Sequence, residues 1–166
     1  MFLRALLAFL ALPGLFAVLL PPIVASLDPW RGRMWAGGYP VFGGGALVVL
    51  WCVRDFYVSG KGTLAPWDPP QHLVVVGLYR HVRNPMYIGV LLLVLGWALV
   101  LCSSLVGLYT VVLAAFFHFR VVTAEEPWLS RQFSSRWVEY SRSVPRWIPR
   151  ATPWNAPSDT ESQSGE

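Results

Sequence analysis

Charged side chains are scarce in this chain of 166 residues, in which Asp, Glu, Lys and Arg make up 13% of the sequence. Soluble domains carry about 25% charged residues, so the composition argues against a soluble domain. Hydrophobic residues make up 55%, and the mean hydropathy is +0.48. The sequence therefore predicts an integral membrane protein.

Cysteine and histidine are also scarce, with two and three copies. Cys52 and Cys102 lie near opposite ends of successive apolar stretches, much further apart than the Cα separation of about 7 Å that a disulfide allows. No Cys/His spacing of the zinc type occurs, and His72, His81 and His118 form no His-x3-His pair. We therefore expect neither a disulfide nor a metal site.

Four apolar stretches come close to the roughly 20 residues that a membrane-spanning helix needs. They run from Phe2 to Leu20, from Trp35 to Val53, from Met86 to Cys102 and from Leu105 to Val122. We expect an all-α integral membrane protein, a small bundle of about four transmembrane helices. The first stretch has an alternative, because Val24-Ala25-Ser26 after it also resembles a signal-peptide cleavage site. Its length, and Pro21-Pro22 at its end, favour a membrane anchor.

Basic residues predict the orientation, because Lys and Arg flank the cytoplasmic ends of membrane helices. With the N-terminus inside, Arg4, the 54–84 loop and the C-terminal segment are cytoplasmic, and only Arg31 and Arg33 remain outside. We predict a multi-pass protein in the lipid bilayer, with both termini and the active site cytoplasmic. This topology explains the net charge of +4. No nucleic-acid partner is expected, since that would need a basic face on a folded domain.

A polar cluster over residues 79–87 leads directly into the third apolar stretch. Asn84 precedes a proline and is biased out of the helical region, whereas Pro85 suits a first helical turn, so a helix is predicted to begin here. The free N–H groups of that end can hold a ligand carboxylate. Glu125-Glu126 follows the fourth stretch, on the same side of the membrane. We therefore expect both segments to form one site.

The residues after the glutamates predict a C-terminal amphipathic interfacial helix that can cap this site. Its apolar residues are Trp128, Leu129, Phe133, Trp137 and Tyr140. One glutamate is expected to face inward with His118 while the other faces a different neighbour. The Ser- and Pro-rich residues 151–166 are expected to be disordered.

Taken together, the site favours a ligand with a carboxylate for the helix start, a cation for the glutamates and an aromatic ring for the tyrosines. S-adenosylmethionine carries all three groups, although many zwitterions satisfy the same chemistry.

The order of three motifs carries a family resemblance. These are Gly77-x-Tyr79-x4-Asn84-Pro85-x-Tyr87-x-Gly89, Glu125-Glu126-x2-Leu129-x3-Phe133 and Val144-Pro145-Arg146-x-Ile148-Pro149. Over roughly residues 60–149 the chain resembles the isoprenylcysteine carboxyl methyltransferase family. The resemblance implies a membrane methyltransferase that binds S-adenosylmethionine at the cytoplasmic face and receives a hydrophobic acceptor from the membrane. It also implies a single domain over residues 1–150, with its catalytic half at about 60–149.

The resemblance implies a set of cofactor-binding residues. Tyr79, Asn84, Pro85 and Tyr87 would surround the cofactor, the backbone at His72, Leu73 and Val74 would line it, and Glu125 with Glu126 would complete the site. Among these, Glu125 would bind the charged amino end of the cofactor.

Departures from the family pattern leave the methyl acceptor open. Asn84 replaces the histidine of Arg-His-Pro-x-Tyr, and Ser134 replaces a glycine after Phe133. Val121 stands where the prenylcysteine enzymes have a substrate-binding arginine, with Arg120 beside it. We predict that Arg120 orients an anionic acceptor. An isoprenylcysteine-like carboxylate, a thiol and another small nucleophile stay open as acceptors.

Two other functions stay open. A phospholipid N-methyltransferase shares the paired glutamates, and its amine acceptor would need a base such as His81 or His118. A non-enzymatic membrane subunit would use the same charges only to anchor the bundle, and it would bind no cofactor.

Overall fold

The computed structural model describes residues 10–59, 73 and 75–155, and the regular structure in these residues is helical throughout. This confirms the all-α prediction for the described part. A π-helical stretch, Leu10–Leu19, continues as α1 (Leu20–Ser26), which is followed by α2 (Tyr39–Ser59), α3 (Pro85–Val100), α4 (Ser104–Arg120) and α5 (Glu126–Ser143). Single 3-10 turns, Ala36–Gly38 and Gly77–Arg80, precede α2 and α3, and the π turn Val121–Glu125 joins α4 to α5.

Two helices of the described part are long and apolar enough to cross a membrane, judged by length and composition. They are Ala36–Asp55 and the continuous helix Ser104–Ser143. Gly14–Ser26 and Pro85–Val100 are also apolar but shorter. The structure therefore supports two of the four predicted spans on this criterion.

The first apolar helix ends later than Pro21-Pro22 suggested, because α1 continues through both prolines to Ser26. Pro21 and Pro22 follow the π-helical stretch Leu10–Leu19 almost directly, so the helix continues there without two of its backbone N–H donors. Just beyond this helix, the buried carboxylate of Asp28 accepts hydrogen bonds from Ser103 Oγ at 2.6 Å and from Leu105 N at 3.0 Å. The end of the first helix is thus tied to the beginning of α4.

Helices α2 and α3 form the most extensive helix pair, and glycines bring their backbones together. A Cβ atom on Gly45 would lie 2.6 Å from Leu93 N, and one on Gly96 would lie 2.6 Å from Phe42 Cα. Small residues of this kind allow close packing of membrane helices. Helices α2 and α4 each have an exposed face that is apolar, as in a protein surrounded by lipid. The exposed residues are Leu47, Leu50 and Trp51 on α2 and Leu108, Val111, Val112 and Phe116 on α4.

The apolar face of α5 is packed against the protein, which corrects the expectation that it lies on the membrane surface. Trp137 and Tyr140 are buried together with Val144. Leu73, Val75, Leu129, Phe133 and Trp154 pack around them. A kink at Ser134, where φ is 41° and ψ is −114°, interrupts the helix between Phe133 and the buried aromatic pair. The helix therefore acts as a cap whose inner face is filled by the chain itself.

The first residues of the predicted disordered tail belong to the fold, so that prediction is wrong for residues 151–155. The Trp154 ring lies edge-on to Tyr140 at a centroid distance of 5.6 Å. Its backbone N–H donates to Arg80 O at 2.9 Å, and Arg80 Nε donates to Trp154 O at 2.9 Å. A large aromatic side chain has enough apolar surface to order a short polar segment. Residues 156–166 lie outside the described part.

Candidate functional site

The start of α3 has the geometry that the sequence predicted. Asn84 lies outside the helical region, with φ −124° and ψ 52°, and Pro85 is the first residue of the helix. Pro85 itself is buried, so the backbone at this end is held firmly against its neighbours. The first turn of α3 presents unsatisfied N–H groups and the positive end of the helix dipole.

A first cluster forms around Glu125. The Tyr87 hydroxyl donates a hydrogen bond to Glu125 Oε1, and Arg120 Nε donates to the same oxygen at 2.8 Å. Arg120 Nε also lies 3.2 Å from the Tyr87 hydroxyl oxygen. Arg120 and Glu125 are five residues apart, and the π turn between them brings such residues onto one face. The structure therefore unites three of the predicted site residues, Tyr87, Arg120 and Glu125.

This first cluster is open to a ligand. The Glu125 side chain keeps 30% of its exposure, and that of Arg120 keeps 45%. Among the described residues, both hydrogen bonds of the Arg120 guanidinium are made by Nε. Beneath them, the Tyr87 ring packs on Phe117 with a centroid distance of 4.4 Å. The cluster thus has a fixed apolar base and polar groups that solvent can reach.

A second cluster forms around Glu126. Arg146 donates to both carboxylate oxygens, from Nε and Nη2, at 2.7 Å each. Arg83 Nη1 donates to Oε1 at 2.9 Å. The side chain of Arg83 is 13% exposed, that of Glu126 is 17% exposed and that of Arg146 is 32% exposed. Because two arginines engage this carboxylate, Glu126 joins the start of α3, the start of α5 and the segment after α5.

Burial and charge act in opposite directions within the second cluster. Burial lowers the pKa of the Arg83 guanidinium, while the charge of Glu126 raises it. The hydrogen bonds from Arg146 to Glu126 raise the pKa of Arg146. Both arginines remain charged at neutral pH. The cluster therefore has one more positive than negative charge among these three side chains.

Asn84 fastens the second cluster to the start of α3. Its Nδ2 donates to Arg146 O at 3.2 Å, and the neighbouring Arg83 N donates to Pro145 O at 2.9 Å. The Arg83 guanidinium also lies over the Trp137 ring, 5.8 Å from its centroid. At this position, where the family pattern has a histidine, the amide of Asn84 thus holds the terminal segment by a hydrogen bond.

Tyr79 lies away from the glutamates, in the 3-10 turn before α3. It is 9% exposed, and burial raises the pKa of its hydroxyl well above the ordinary value. Its carbonyl accepts a hydrogen bond from the Tyr140 hydroxyl at 2.7 Å, which connects the turn to α5. Of the other predicted cofactor residues, Leu73 is partly buried against the α5 aromatics, and His72 and Val74 lie outside the described residues.

A cavity of about 350 Å³ opens beside this 3-10 turn. Its walls are Val75, Val76, Gly77, Arg80, Trp154 and Asn155. The residues that directly follow the segment expected to line the cofactor therefore line this cavity, together with part of the segment that was expected to be disordered.

Sequence reasoning missed two buried or partnered polar residues. Asp55, at the end of α2, is 5% exposed, and its Oδ2 has no hydrogen-bond partner among the described residues. The carboxylate lies against Gly77, whose φ of +53° and lack of a Cβ permit this approach. An acidic residue at the end of an apolar helix was the available signal. Arg146 was also missed as a partner of Glu126, and nothing in its spacing from the glutamates predicts the contact.

Among the described residues, the hydrogen-bond partner of His118 is Trp147 and neither of the two glutamates. Its Nδ1 accepts a hydrogen bond from Trp147 Nε1 at 3.1 Å. The prediction that Glu125 and Glu126 face different neighbours is confirmed.

Comparison with known proteins identifies relatives of the chain. A sequence profile described as phospholipid methyltransferase matches residues 34–136, more than half of the chain. Protein-S-isoprenylcysteine O-methyltransferase B of Arabidopsis thaliana is 35% identical over 78 residues, which are 46% of this chain and 39% of that protein. Protein-S-isoprenylcysteine O-methyltransferase of Schizosaccharomyces pombe is 36% identical over 80 residues, which are 47% of this chain and 34% of that protein. The match thus spans well under half the length of either relative, and no solved structure matches the chain significantly. The resemblance to isoprenylcysteine methyltransferases is confirmed.

Proposed function

This chain belongs to the phospholipid methyltransferase family, and from that premise we propose that it is an integral membrane enzyme that transfers a methyl group from S-adenosylmethionine to a hydrophobic acceptor. The observation that carries the proposal is the Glu125 cluster. A partly exposed carboxylate stands between the Tyr87 hydroxyl and the Arg120 guanidinium, next to the first turn of α3. Such an arrangement can bind the zwitterionic end of the cofactor next to an anionic methyl acceptor.

The residues present fit the cofactor group by group. Glu125 can bind its ammonium, and the N–H groups at the start of α3, after Asn84 and Pro85, can bind its carboxylate. Tyr87 offers aromatic surface at this helix start, and the buried Tyr79 holds the preceding turn against α5 through its bond with Tyr140. That the segment around Leu73 contacts the cofactor stays a prediction. Glu126 acts on the cofactor site through Arg83 and Arg146, by holding the terminal segment against it.

The protein's contribution to the reaction is alignment and exclusion of water. The cofactor supplies a methyl group bonded to a sulfonium, which an anion accepts without releasing a proton. Arg120 orients that anion with the guanidinium edge that Glu125 leaves free. A carboxylate or thiolate therefore needs no general base. The names of the two relatives specify the oxygen of an isoprenylcysteine, so an acidic lipid-like molecule is the acceptor class we favour.

The membrane topology completes the proposal. Ala36–Asp55 and the first part of Ser104–Ser143 are long and apolar enough to span. We propose that the predicted stretches Phe2 to Leu20 and Met86 to Cys102 span as well, which gives four spans in one domain over residues 1–150. The exposed apolar faces of α2 and α4 contact lipid. Both termini and the site lie in the cytoplasm, because the arginines gather on that side. The acceptor then reaches the site from the inner leaflet.

A phospholipid N-methyltransferase is the second candidate, and the matching family profile favours it. An amine acceptor releases a proton on methylation and needs a base near the reacting nitrogen. His81 and His118 were the candidates for that base. Each has its Nδ1 in a hydrogen bond, with Arg150 O for His81 and Trp147 Nε1 for His118. The Arg150 carbonyl can only accept, so His81 Nδ1 donates and its Nε2 can still act as a base, whereas the neutral His118 ring carries its proton on Nε2. We favour the anionic acceptor because of the names of the two relatives.

The test is calorimetric titration of the detergent-purified full chain with S-adenosylhomocysteine. We expect the wild type to bind, and Glu125→Gln to bind about 10- to 100-fold more weakly because a hydrogen-bonded charge pair is lost. Glu139→Gln changes an exposed glutamate of α5 in the same way and serves as the matched control. Absence of binding by folded wild type would support the non-enzymatic subunit instead.

A further inference from the structure

The terminal residues 144–155, here called the strap, run from the end of α5 across the polar segment 80–84 that leads into α3. The root of the strap is firmly fixed. Val144 is 1% exposed, and Arg146 binds both carboxylate oxygens of Glu126. Burial and an ion pair therefore hold this end in place.

The middle of the strap is bonded to His81 and to the end of α5. His81 Nδ1 donates to Arg150 O at 2.8 Å, and Arg150 N donates to His81 O at 3.0 Å. The Arg150 guanidinium reaches back to the last residue of α5, where its Nη1 donates to Ser143 O at 2.8 Å. One residue thus ties the strap to the segment before α3 and to the helix that caps the site.

The last part of the strap, residues 151–155, is here called its tip, and Arg80 holds it. Trp154 N donates to Arg80 O, and Arg80 Nε donates to Trp154 O, each at 2.9 Å. Arg80 Nη2 also donates to the side-chain oxygen of Asn155. The contact between Arg80 and Trp154 therefore anchors the tip.

The tip is packed more loosely than the root. Arg80, Trp154 and Asn155 are walls of the cavity of about 350 Å³ that opens beside the 3-10 turn. Side chains that line a void lose dispersion contacts on that side, and parts of a protein with few packed contacts open at a low cost in free energy. The tip can therefore detach while the root stays bound.

Two sets of contacts couple the tip to the turn Gly77–Arg80. The first is the direct bonding to Arg80. The second passes through Tyr140, whose ring lies edge-on to Trp154 and whose hydroxyl donates to Tyr79 O at 2.7 Å. Detachment of the tip therefore removes support from both ends of the part of the turn that carries Tyr79.

Building on the proposed function, we propose that the tip is a latch on the cofactor site. When the tip detaches, the turn Gly77–Arg80 and the helix start at Asn84 loosen, and S-adenosylmethionine enters or leaves. When the tip returns, the site closes around the bound cofactor. Trp154 is the positioning residue of this latch. The tip lies beyond residues 34–136, so the family profile assigns it no role.

A latch and a purely structural segment have different kinetic consequences. A latch must open before a ligand can pass, so weakening it raises the rate constants of both association and dissociation. A segment that only shapes the site acts on the bound state. Weakening it raises the dissociation rate constant and leaves the association rate constant no higher.

Surface plasmon resonance of the full chain in immobilised lipid nanodiscs, with S-adenosylhomocysteine as analyte, measures both rate constants. We expect Trp154→Ala to raise each of them about 10-fold, because the aromatic contact that holds the tip is lost. Trp154→Phe keeps a ring against Tyr140 and should stay close to wild type. Trp30→Ala is the matched control, since Trp30 is 78% exposed in the loop after α1, and it should change neither rate constant. An association rate constant that is unchanged or lower in Trp154→Ala would overturn the proposal.

Hydrogen exchange of the cofactor-free protein in nanodiscs tests the opening itself. Trp154→Ala should speed amide exchange about 10-fold in residues 77–84, whose support is lost, and leave Pro85–Val100 at the wild-type rate. An equal increase in both segments would mean that Trp154 only stabilises the whole fold, and the latch would be wrong.

Failure of this proposal is distinguishable from failure of the proposed function. If the wild type binds S-adenosylhomocysteine and Trp154→Ala shows wild-type rate constants, the cofactor site stands and the latch is wrong. If the folded wild type does not bind S-adenosylhomocysteine, the proposed function is wrong, and so is the latch that rests on it.

Discussion

Glu125 and Glu126 are neighbours in sequence, yet they belong to two clusters with different properties. Glu126 is bound by two arginines and keeps 17% of its exposure, whereas Glu125 keeps 30% and shares one oxygen between a tyrosine and an arginine. Successive helical residues point about 100° apart, so the pair can serve two sides of one site. The comparison teaches that one carboxylate holds the fold together while the next remains available to a ligand.

The largest effect should come from breaking the Glu126 cluster. Glu126→Gln leaves two arginines without their shared anion, and we expect a loss of about 3 kcal/mol in the free energy of unfolding. Glu125→Gln should cost less than about 1 kcal/mol, because its pair is more exposed. Unfolding in detergent with increasing sodium dodecyl sulfate, followed by tryptophan fluorescence, measures both. Equal losses for the two variants would contradict the division of roles.

The next effect tests the Glu125 cluster from the tyrosine side. Tyr87→Phe removes the hydroxyl that donates to Glu125 and should weaken S-adenosylhomocysteine binding about 10-fold, with little change in stability. Tyr109→Phe is the matched control, since the Tyr109 hydroxyl donates to Phe16 O at 3.1 Å, between α4 and the first helix. Calorimetric titration measures the affinity of each variant for S-adenosylhomocysteine. The prediction is wrong if Tyr87→Phe and Tyr109→Phe bind it with the same affinity.

A smaller effect concerns the kink that turns the α5 aromatics towards Arg83. Ser134 has φ 41° and ψ −114°, a conformation that glycine adopts with less strain. Ser134→Gly should therefore raise the free energy of unfolding by about 1 kcal/mol. Ser135→Gly, in the helical residue that follows, should lower it by about 1 kcal/mol. Thermal unfolding in detergent shows whether each variant raises or lowers the free energy of unfolding. A lower free energy of unfolding for Ser134→Gly would mean that the serine side chain makes a favourable contact there.

The smallest effect on the site should come from Asp28, a carboxylate in the loop after α1. Hydrogen bonds from Leu105 N and Ser103 lower its pKa from 3.8 to about 2. A lowered pKa contributes stability that is complete above the ordinary value and disappears as the pH falls through about 2. Asp28→Asn should therefore destabilise the protein at pH 7 and match wild type near pH 2, without altering S-adenosylhomocysteine affinity. Thermal unfolding against pH checks the first part, and a constant difference at all pH values would contradict it.

The sequence predicted the parts of the fold that depend on local chemistry. Pro85 after Asn84 determined where α3 begins. Motif order also predicted that Tyr87 and Glu125 would meet. These outcomes follow from backbone restrictions and from the hydrophobicity of whole segments.

Other features depended on partners that are distant in sequence. Arg146 binds Glu126 across 20 residues, and Trp154 packs beside Arg80 across more than 70. Composition alone assigned the Trp154 segment to a polar tail, and periodicity alone assigned the α5 aromatics to the membrane surface. Both were misjudged because a side chain's environment depends on which other segment covers it.

By itself, the sequence determined that this is a helical, apolar chain of the phospholipid methyltransferase family with a polar site beside a helix start, because these properties follow from composition, backbone chemistry and motif order. Only the tertiary structure decided which glutamate is enclosed by arginines, which nitrogen of His118 is occupied and that Trp154 packs against the fold. The physical reason is that hydrogen bonds and ion pairs form between groups that folding brings within about 3 Å of each other. The local sequence does not predict which distant groups come this close.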